Sequence, residues 1–242
     1  MSSERSTISA PPRKRAATRR PAAEAGAEPA LLETIESELD AEGWDSIWDL
    51  GQGRVSPPVD PGDRHLQQGV AEIVRDAALD AFALSTGGPR TALVLGCGEG
   101  WLAQQLLSWG ADWVVGVDQR QPALRRGELL AEYLSIDPRR LRLSQVGCLE
   151  QLGLEADENF SIVVAPAAWE AQAQQRGALL AVARRHASHR IAVETADRNR
   201  TIREFRETGV KPIRTDPPTD AERRLILGER AVLVAAPGGN GE

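Results

Sequence analysis

The stretch Thr91-Ala92-Leu93-Val94-Leu95-Gly96-Cys97-Gly98-Glu99-Gly100-Trp101-Leu102-Ala103 reads as a buried strand, a glycine-rich turn and the opening of a helix. Thr91 to Leu95 show no alternation of polar and apolar residues, the pattern of a strand covered on both faces. Gly96, Gly98 and Gly100 remove three side chains from one turn, so the backbone can bend sharply and approach a ligand closely. Leu102, Leu106 and Trp109 follow at helical spacing, and Gly110 is placed to end that helix.

Downstream, Asp112 to Asp118 reads as a second buried strand ending in a carboxylate. Pro122 suits the first turn of the next helix, which is predicted to run to about Leu134. Leu141–Val146, Phe160–Ala165, Arg190–Glu194 and Ala231–Ala236 are candidate strands, separated late in the chain by helices predicted at 169–186 and 199–207. Strands alternating with helices at this spacing predict an α/β fold, a doubly wound, mostly parallel sheet of Rossmann-like type with ligands at the carboxyl ends of its strands. The glycine turn and Asp118 then lie together.

Upstream, His65 to Ser85 has helical spacing, and Leu31 to Asp40 places Leu31, Leu32, Ile35 and Leu39 on one face of a short amphipathic helix. Between them, Trp44, Ile47, Trp48 and Leu50 form an apolar knot, and Gly51, Gly53, Pro57, Pro58, Pro61 and Gly62 predict irregular backbone. The knot is expected to pack this segment onto the main domain, or to wall a pocket. Residues 1 to 30 are rich in Ser, Pro, Ala and Arg, too poor in large apolar residues to offset the entropy of ordering, and are predicted disordered. The predicted organisation is thus a basic tail (1–30), a helical extension and loop (31–88) and one ligand-binding domain (89–238).

Composition narrows the class. The chain has 242 residues, 41% of them hydrophobic, enough for one full-sized core. Its net charge of -6 divides into about +3 for the tail, where Arg5, Arg13, Lys14, Arg15, Arg19 and Arg20 face Glu4, Glu24 and Glu28, and -9 for the rest. An acidic body does not attract polyanions, so nucleic-acid contact would fall to the tail and is not the favoured partner. Cys97 and Cys148 give neither a disulfide framework nor metal-ligand spacing. No run of roughly 20 apolar residues is present, and no hydrophobic segment follows the first charges. A cytoplasmic protein with no membrane partner is expected, and the Arg- and Ala-rich composition points to a bacterial source.

A strand, a glycine turn and an acidic residue ending the next strand fit two nucleotide-type sites. A dinucleotide fingerprint places its third glycine three positions after the second. Here that position is Trp101, too bulky for close helix–strand packing. The spacing Gly96-x-Gly98-x-Gly100 with Gly116-Val117-Asp118 resembles instead the class I S-adenosylmethionine-dependent methyltransferases, over roughly Thr91 to Ala165. The resemblance implies S-adenosylmethionine as cofactor, contacted by Gly96, Cys97, Gly98, Glu99, Gly100, Asp118, Gln119, Cys148, Leu149 and Ala165. The glycines would pass its methionine part, and Asp118, an acceptor-only carboxylate, would take both ribose hydroxyls.

The chain departs from the family at two points. Val94 stands where an acidic residue usually helps hold the cofactor's amino group, and Cys148 where an Asp often lies near the adenine. Glu99 is the candidate replacement for the first. No nucleophile pair or metal cluster is evident. Glu170 and Glu194 are the nearest candidate bases, and His186 and His189 read as part of a cationic helix end. Only Pro166, with Trp169 displaced, remains of the motif by which relatives methylate exocyclic nitrogens, so nucleobase amines are disfavoured as acceptors. The expected activity is methyl transfer to a small-molecule acceptor, catalysed mainly by positioning. The alternatives are an RNA- or tRNA-modifying enzyme of the same fold and a domain that retains the fold without catalysis.

Overall fold

A computed structural model describes residues 31, 33–35, 37, 44, 46–51, 54–56, 61–147, 152, 154, 158–166, 176–214 and 231–237. The basic tail, Cys148, Leu149, Trp169, Glu170 and the first part of the helix expected at 169–186 lie outside them.

The frame is a seven-stranded sheet in the order β5-β4-β3-β6-β7-β9-β8. Its strands are β3 (Thr91–Leu95), β4 (Trp113–Asp118), β5 (Leu141–Gln145), β6 (Phe160–Ala165), β7 (Ala187–Thr195), β8 (Lys211–Arg214) and β9 (Ala231–Ala236). A two-stranded antiparallel hairpin, β1 (Asp49–Gly51) and β2 (Arg54–Val55), precedes them. The helices are α1 (Pro61–Leu84), α2 (Trp101–Ser108), α3 (Gln121–Tyr133), α4 (Arg176–His186) and α5 (Arg198–Glu207).

β3 is central because every one of its residues is buried, so it needs cover on both faces. It pairs in parallel with β4, Thr91 opposite Trp113 through Leu95 opposite Val117, and with β6, Val94 opposite Val164. Its side chains alternate between two cores. Ala92 and Val94 join Val114, Ile162 and Val164 under α1, α2 and Leu124 of α3. Leu93 and Leu95 join Val115, Val117, Val163 and Ile191 over Leu179 and Leu180 of α4 and Phe205 of α5. The strand order reverses between β3 and β6, which opens a crevice at the carboxyl ends of those two strands.

Several boundaries differ from the sequence expectation. α1 begins at Pro61, four residues before His65, since proline's fixed φ and missing N–H suit a first helical turn as well as a loop. The stretch after Trp48 contains the β1–β2 hairpin, because glycine-rich sequence is as compatible with a tight hairpin as with irregular backbone. His186 closes α4 but His189 lies in β7, which starts at Ala187, in parallel register with Phe160. β8 was not foreseen. It carries Pro212, which an edge strand tolerates because half of its backbone groups need no partner.

Candidate cofactor site

Gly96, Gly98 and Gly100 have φ of 70°, 55° and 79°, the left-handed region that side chains disfavour. The turn is tied to β4 rather than left as a free loop. The Gly96 and Cys97 amides donate to the carbonyl of Val117 at 2.8 and 3.0 Å, and Gly100 donates to that of Cys97 at 2.8 Å. Two further glycines let neighbours close in. A Cβ on Gly116 would meet Cys97 Sγ at 2.9 Å, and one on Gly127 of α3 would meet the Glu99 carbonyl at 2.5 Å. The turn is therefore clasped between β4 and α3.

Asp118 ends β4 and is buried. Its Oδ2 accepts the Gly98 amide at 2.8 Å, and its Oδ1 accepts the Arg120 amide at 2.9 Å. The Arg120 guanidinium adds Nε to Oδ1 at 3.2 Å and Nη2 to Oδ2 at 3.4 Å. Burial raises the pKa of this carboxyl, but the Arg120 amide and side chain and the Gly98 amide outweigh it and hold the group below the usual carboxylate range. Asp118 is thus ionised at neutral pH. Cys97 behaves oppositely, its thiol pushed up chiefly by burial and further by the charges of Asp118 and Glu99, so it is inert as a nucleophile.

Glu99 turns inward from the glycine loop. Its Oε1 accepts from Arg126 Nη2 of α3 at 3.0 Å, with both side chains buried. The Arg126 guanidinium in turn lies 5.5 Å from the ring centroid of Trp44. Trp44 belongs to a third apolar cluster, with Ile35, Trp48, Leu50 and Leu130, against which Trp101, Leu129 and Tyr133 pack. The hydroxyl of Tyr133 donates to the carbonyl of Leu50, and Gln67 of α1 pairs with the backbone of Ile47 through both its amide atoms at 2.9 and 3.2 Å. The tryptophan knot is therefore a plug seated on α3 and on the residue that follows the glycine turn.

Beside Asp118 lies a cleft of about 450 Å³ lined by Gln119, Arg120, Gln121, Pro122, Ala123, Arg126 and Gln145. Gln145 ends β5, and its Nε2 donates to the Gln119 carbonyl at 3.1 Å. Ala165 ends β6, one register step past the Val94–Val164 pair and so level with Leu95, the residue before the first glycine. Glycine turn, acidic strand end and cleft share one edge of the sheet.

Known structures share this architecture. The magnesium protoporphyrin IX methyltransferase of Synechocystis PCC 6803, solved with S-adenosylmethionine bound, matches over 77% of this chain and 86% of its own at 16% identity and a TM-score of 0.55. The N-terminal domain of EvdMO1, solved with S-adenosylhomocysteine bound, matches over 85% and 96% at 18% identity and a TM-score of 0.55. WbdD matches over 85% of this chain and 47% of its own at 18% identity and a TM-score of 0.57. No family model and no curated protein sequence matches. The fold is that of the class I methyltransferases.

Within the methyltransferase fold the expected site residues divide. Gly96, Cys97, Gly98, Glu99, Gly100, Asp118, Gln119 and Ala165 gather at one sheet edge, while Cys148 and Leu149 fall outside the described residues. Val94 is fully buried in the core beneath α2. Glu194 is buried at the carboxyl end of β7, opposite Val232 of β9. His186 donates from Nδ1–H to the Glu158 carbonyl at 2.7 Å, a structural contact. The sequence reading missed Arg120, Arg126, Gly127 and Gln145. Only Arg120 had a local signal, two residues after an Asp whose carboxylate turns back onto the following backbone. Among the described residues no helix is long and apolar enough to cross a membrane, and no group of three His, Cys, Asp or Glu could hold a metal.

Proposed function

We propose that this chain is an S-adenosylmethionine-dependent methyltransferase acting on a small-molecule acceptor. The observation that carries the reading is Asp118, ionised, buried and hydrogen-bonded to the amide of the second of three left-handed glycines at the switch point of the sheet. One turn with three glycines at alternate positions suits close contact with a cofactor, and an acceptor-only group beside it suits a diol. Gly96 to Gly100 would face the methionine part, Asp118 the ribose, and Gln119 with the adjoining cleft the adenine, with Cys148 and Leu149 completing that end. Trp101 stands against the dinucleotide reading, because it packs between the first core and the tryptophan cluster.

S-adenosylmethionine supplies an already activated methyl group. The protein's part is to exclude water and to hold an acceptor atom in line at about 3 to 3.5 Å. That work falls to Ala165 at the end of β6, to Pro166 and the residues up to 170, and to the segment carrying Trp44 and Trp48. The three-part division of the chain belongs to this proposal, with the refinement that α1 packs into the sheet core and so goes with the ligand-binding domain.

Thermal shift with S-adenosylmethionine, S-adenosylhomocysteine and NAD tests the reading. Ligand at a hundredfold excess over its Kd stabilises by about 2.7 kcal/mol. Both sulfur cofactors are expected to raise Tm, and stabilisation by NAD alone overturns the function. The basic tail supports a second reading, an RNA acceptor, for which salt-sensitive RNA binding lost on deletion of residues 1–30 is the distinguishing result.

A further inference from the structure

The carboxylate proposed for the ribose is fully engaged by the protein itself. Two carboxylate oxygens offer about four lone-pair positions. Asp118 receives four donors: the Gly98 amide at 2.8 Å, the Arg120 amide at 2.9 Å, Arg120 Nε at 3.2 Å and Arg120 Nη2 at 3.4 Å. The two amides belong to the glycine turn and to the start of α3, and cannot leave without unmaking the site. The other two donors come from one side chain that is 52% exposed, whereas Asp118 itself is 7% exposed.

We propose that Arg120 is a built-in competitor for the cofactor's ribose, so that binding is an exchange in which two guanidinium donors leave Asp118 and two hydroxyl donors replace them. This rests on the reading of Asp118 as the diol acceptor. The exchange keeps the number of hydrogen bonds on the carboxylate constant but breaks an ion pair. Arg120 therefore lowers affinity for any ligand that brings both hydroxyls to Asp118, and does nothing to a ligand that leaves Asp118 alone. Arg126, the other guanidinium lining the cleft, is held by Glu99 and is not part of the exchange. Because the Arg120 contact is half exposed, salt screens it, and added salt relieves the competition.

Calorimetric titration with S-adenosylhomocysteine, which lacks the sulfonium charge, tests the proposal on the full-length protein and on Arg120→Ala, Arg120→Gln and Arg120→Lys. Arg120→Ala and Arg120→Gln are expected to bind about fivefold tighter, the scale of a partly exposed ion pair. Added salt should tighten binding by the wild type and by Arg120→Lys but not by the two neutral variants. Adenosine should show the same gain on Arg120→Ala, and 2′,3′-dideoxyadenosine, followed by ligand-observed NMR, none. If the wild type binds and the neutral variants bind equally or more weakly, Arg120 does not compete, and the cofactor reading stands without it. If neither the wild type nor the variants bind S-adenosylhomocysteine while thermal melts show them folded, the proposal and the cofactor reading fall together.

Discussion

Two ion pairs flank the glycine turn, and they differ in nearly everything but their chemistry. Glu99–Arg126 is 3.0 Å long with side-chain exposures of 0% and 4%, whereas Asp118–Arg120 is 3.2 Å long with its arginine 52% exposed. A buried pair has given up two hydration shells, so breaking it leaves a buried charge without its main compensation. A half-exposed pair can trade its partner for water or a ligand at small cost. The first holds α3 against the turn, and the second can exchange.

The sharpest test of this contrast is Arg126→Ala, which removes the guanidinium paired with the buried Glu99 carboxylate. The expected loss is about 3–5 kcal/mol of stability, read as a fall in Tm of about 6–20 °C. Replacing both partners together, Glu99→Leu with Arg126→Met, should recover most of that loss, because a well-packed apolar pair is often neutral relative to a buried ion pair. If Arg126→Ala melts like the wild type, the pair does not clasp the turn. Glu99→Gln separates structure from ligand. Equal cofactor affinity in that variant removes Glu99 as the replacement for the carboxylate missing at Val94.

The fold was legible where burial acts on both faces of a strand. Thr91–Leu95, Phe160–Ala165 and Ala231–Ala236 are mostly apolar runs, broken only by Thr91 and Ser161, and each forms a strand with the bounds its sequence marks. Lys211–Arg214 was not legible, because an edge strand with a proline and two charges carries neither signal of a strand, and only pairing with β9 makes it one. The site followed the same division. Three glycines and an aspartate are local signals, readable in one turn and one strand end. Arg126 meets Glu99 from another element, 27 residues away, and no spacing rule foretells that contact. The need for glycine at 127 is equally non-local, being set by the Glu99 carbonyl across the interface.

On the exchangeable side, Asp118→Asn keeps the shape of the group but converts one acceptor oxygen into a donor. Loss of a charge-assisted acceptor costs about 1.5–3 kcal/mol, so S-adenosylhomocysteine affinity should fall roughly ten- to hundredfold. Its effect on Tm without ligand should be smaller than that of Arg126→Ala. If the two variants lose stability equally, the contrast between a fixed and an exchangeable pair fails.

The pH dependence follows from the direction of the Asp118 shift. Its folded pKa is depressed, so the stability it contributes is present above the unfolded value of about 4 and is lost as pH falls through the folded value. Cofactor affinity should be flat from neutral pH down to that range and then decline. A midpoint near pH 6 or above would show that some other group governs binding.

A third pair extends the comparison to its weak end. Arg90 and Asp112 precede β3 and β4 at the edge of the sheet away from the site, and their guanidinium and carboxylate meet at 2.9 Å with exposures of 46% and 49%. The Arg90 side chain lowers the Asp112 pKa against a modest effect of burial, and the Arg90 amide lowers it further through its own hydrogen bond to Oδ2 at 2.9 Å. That amide bond survives removal of the guanidinium. Solvent already screens both charges, so Arg90→Ala should cost less than about 1 kcal/mol, and moderate salt should erase most of that. Its sign with pH matches Asp118, present above the unfolded carboxylate value and lost in acid. Chemical denaturation of Arg90→Ala at low and high salt gives the measurement. A loss as large as that of Arg126→Ala would mean that exposure is not what sets the worth of an ion pair in this protein, and the separation of a fixed from an exchangeable arginine at the glycine turn would lose its physical basis.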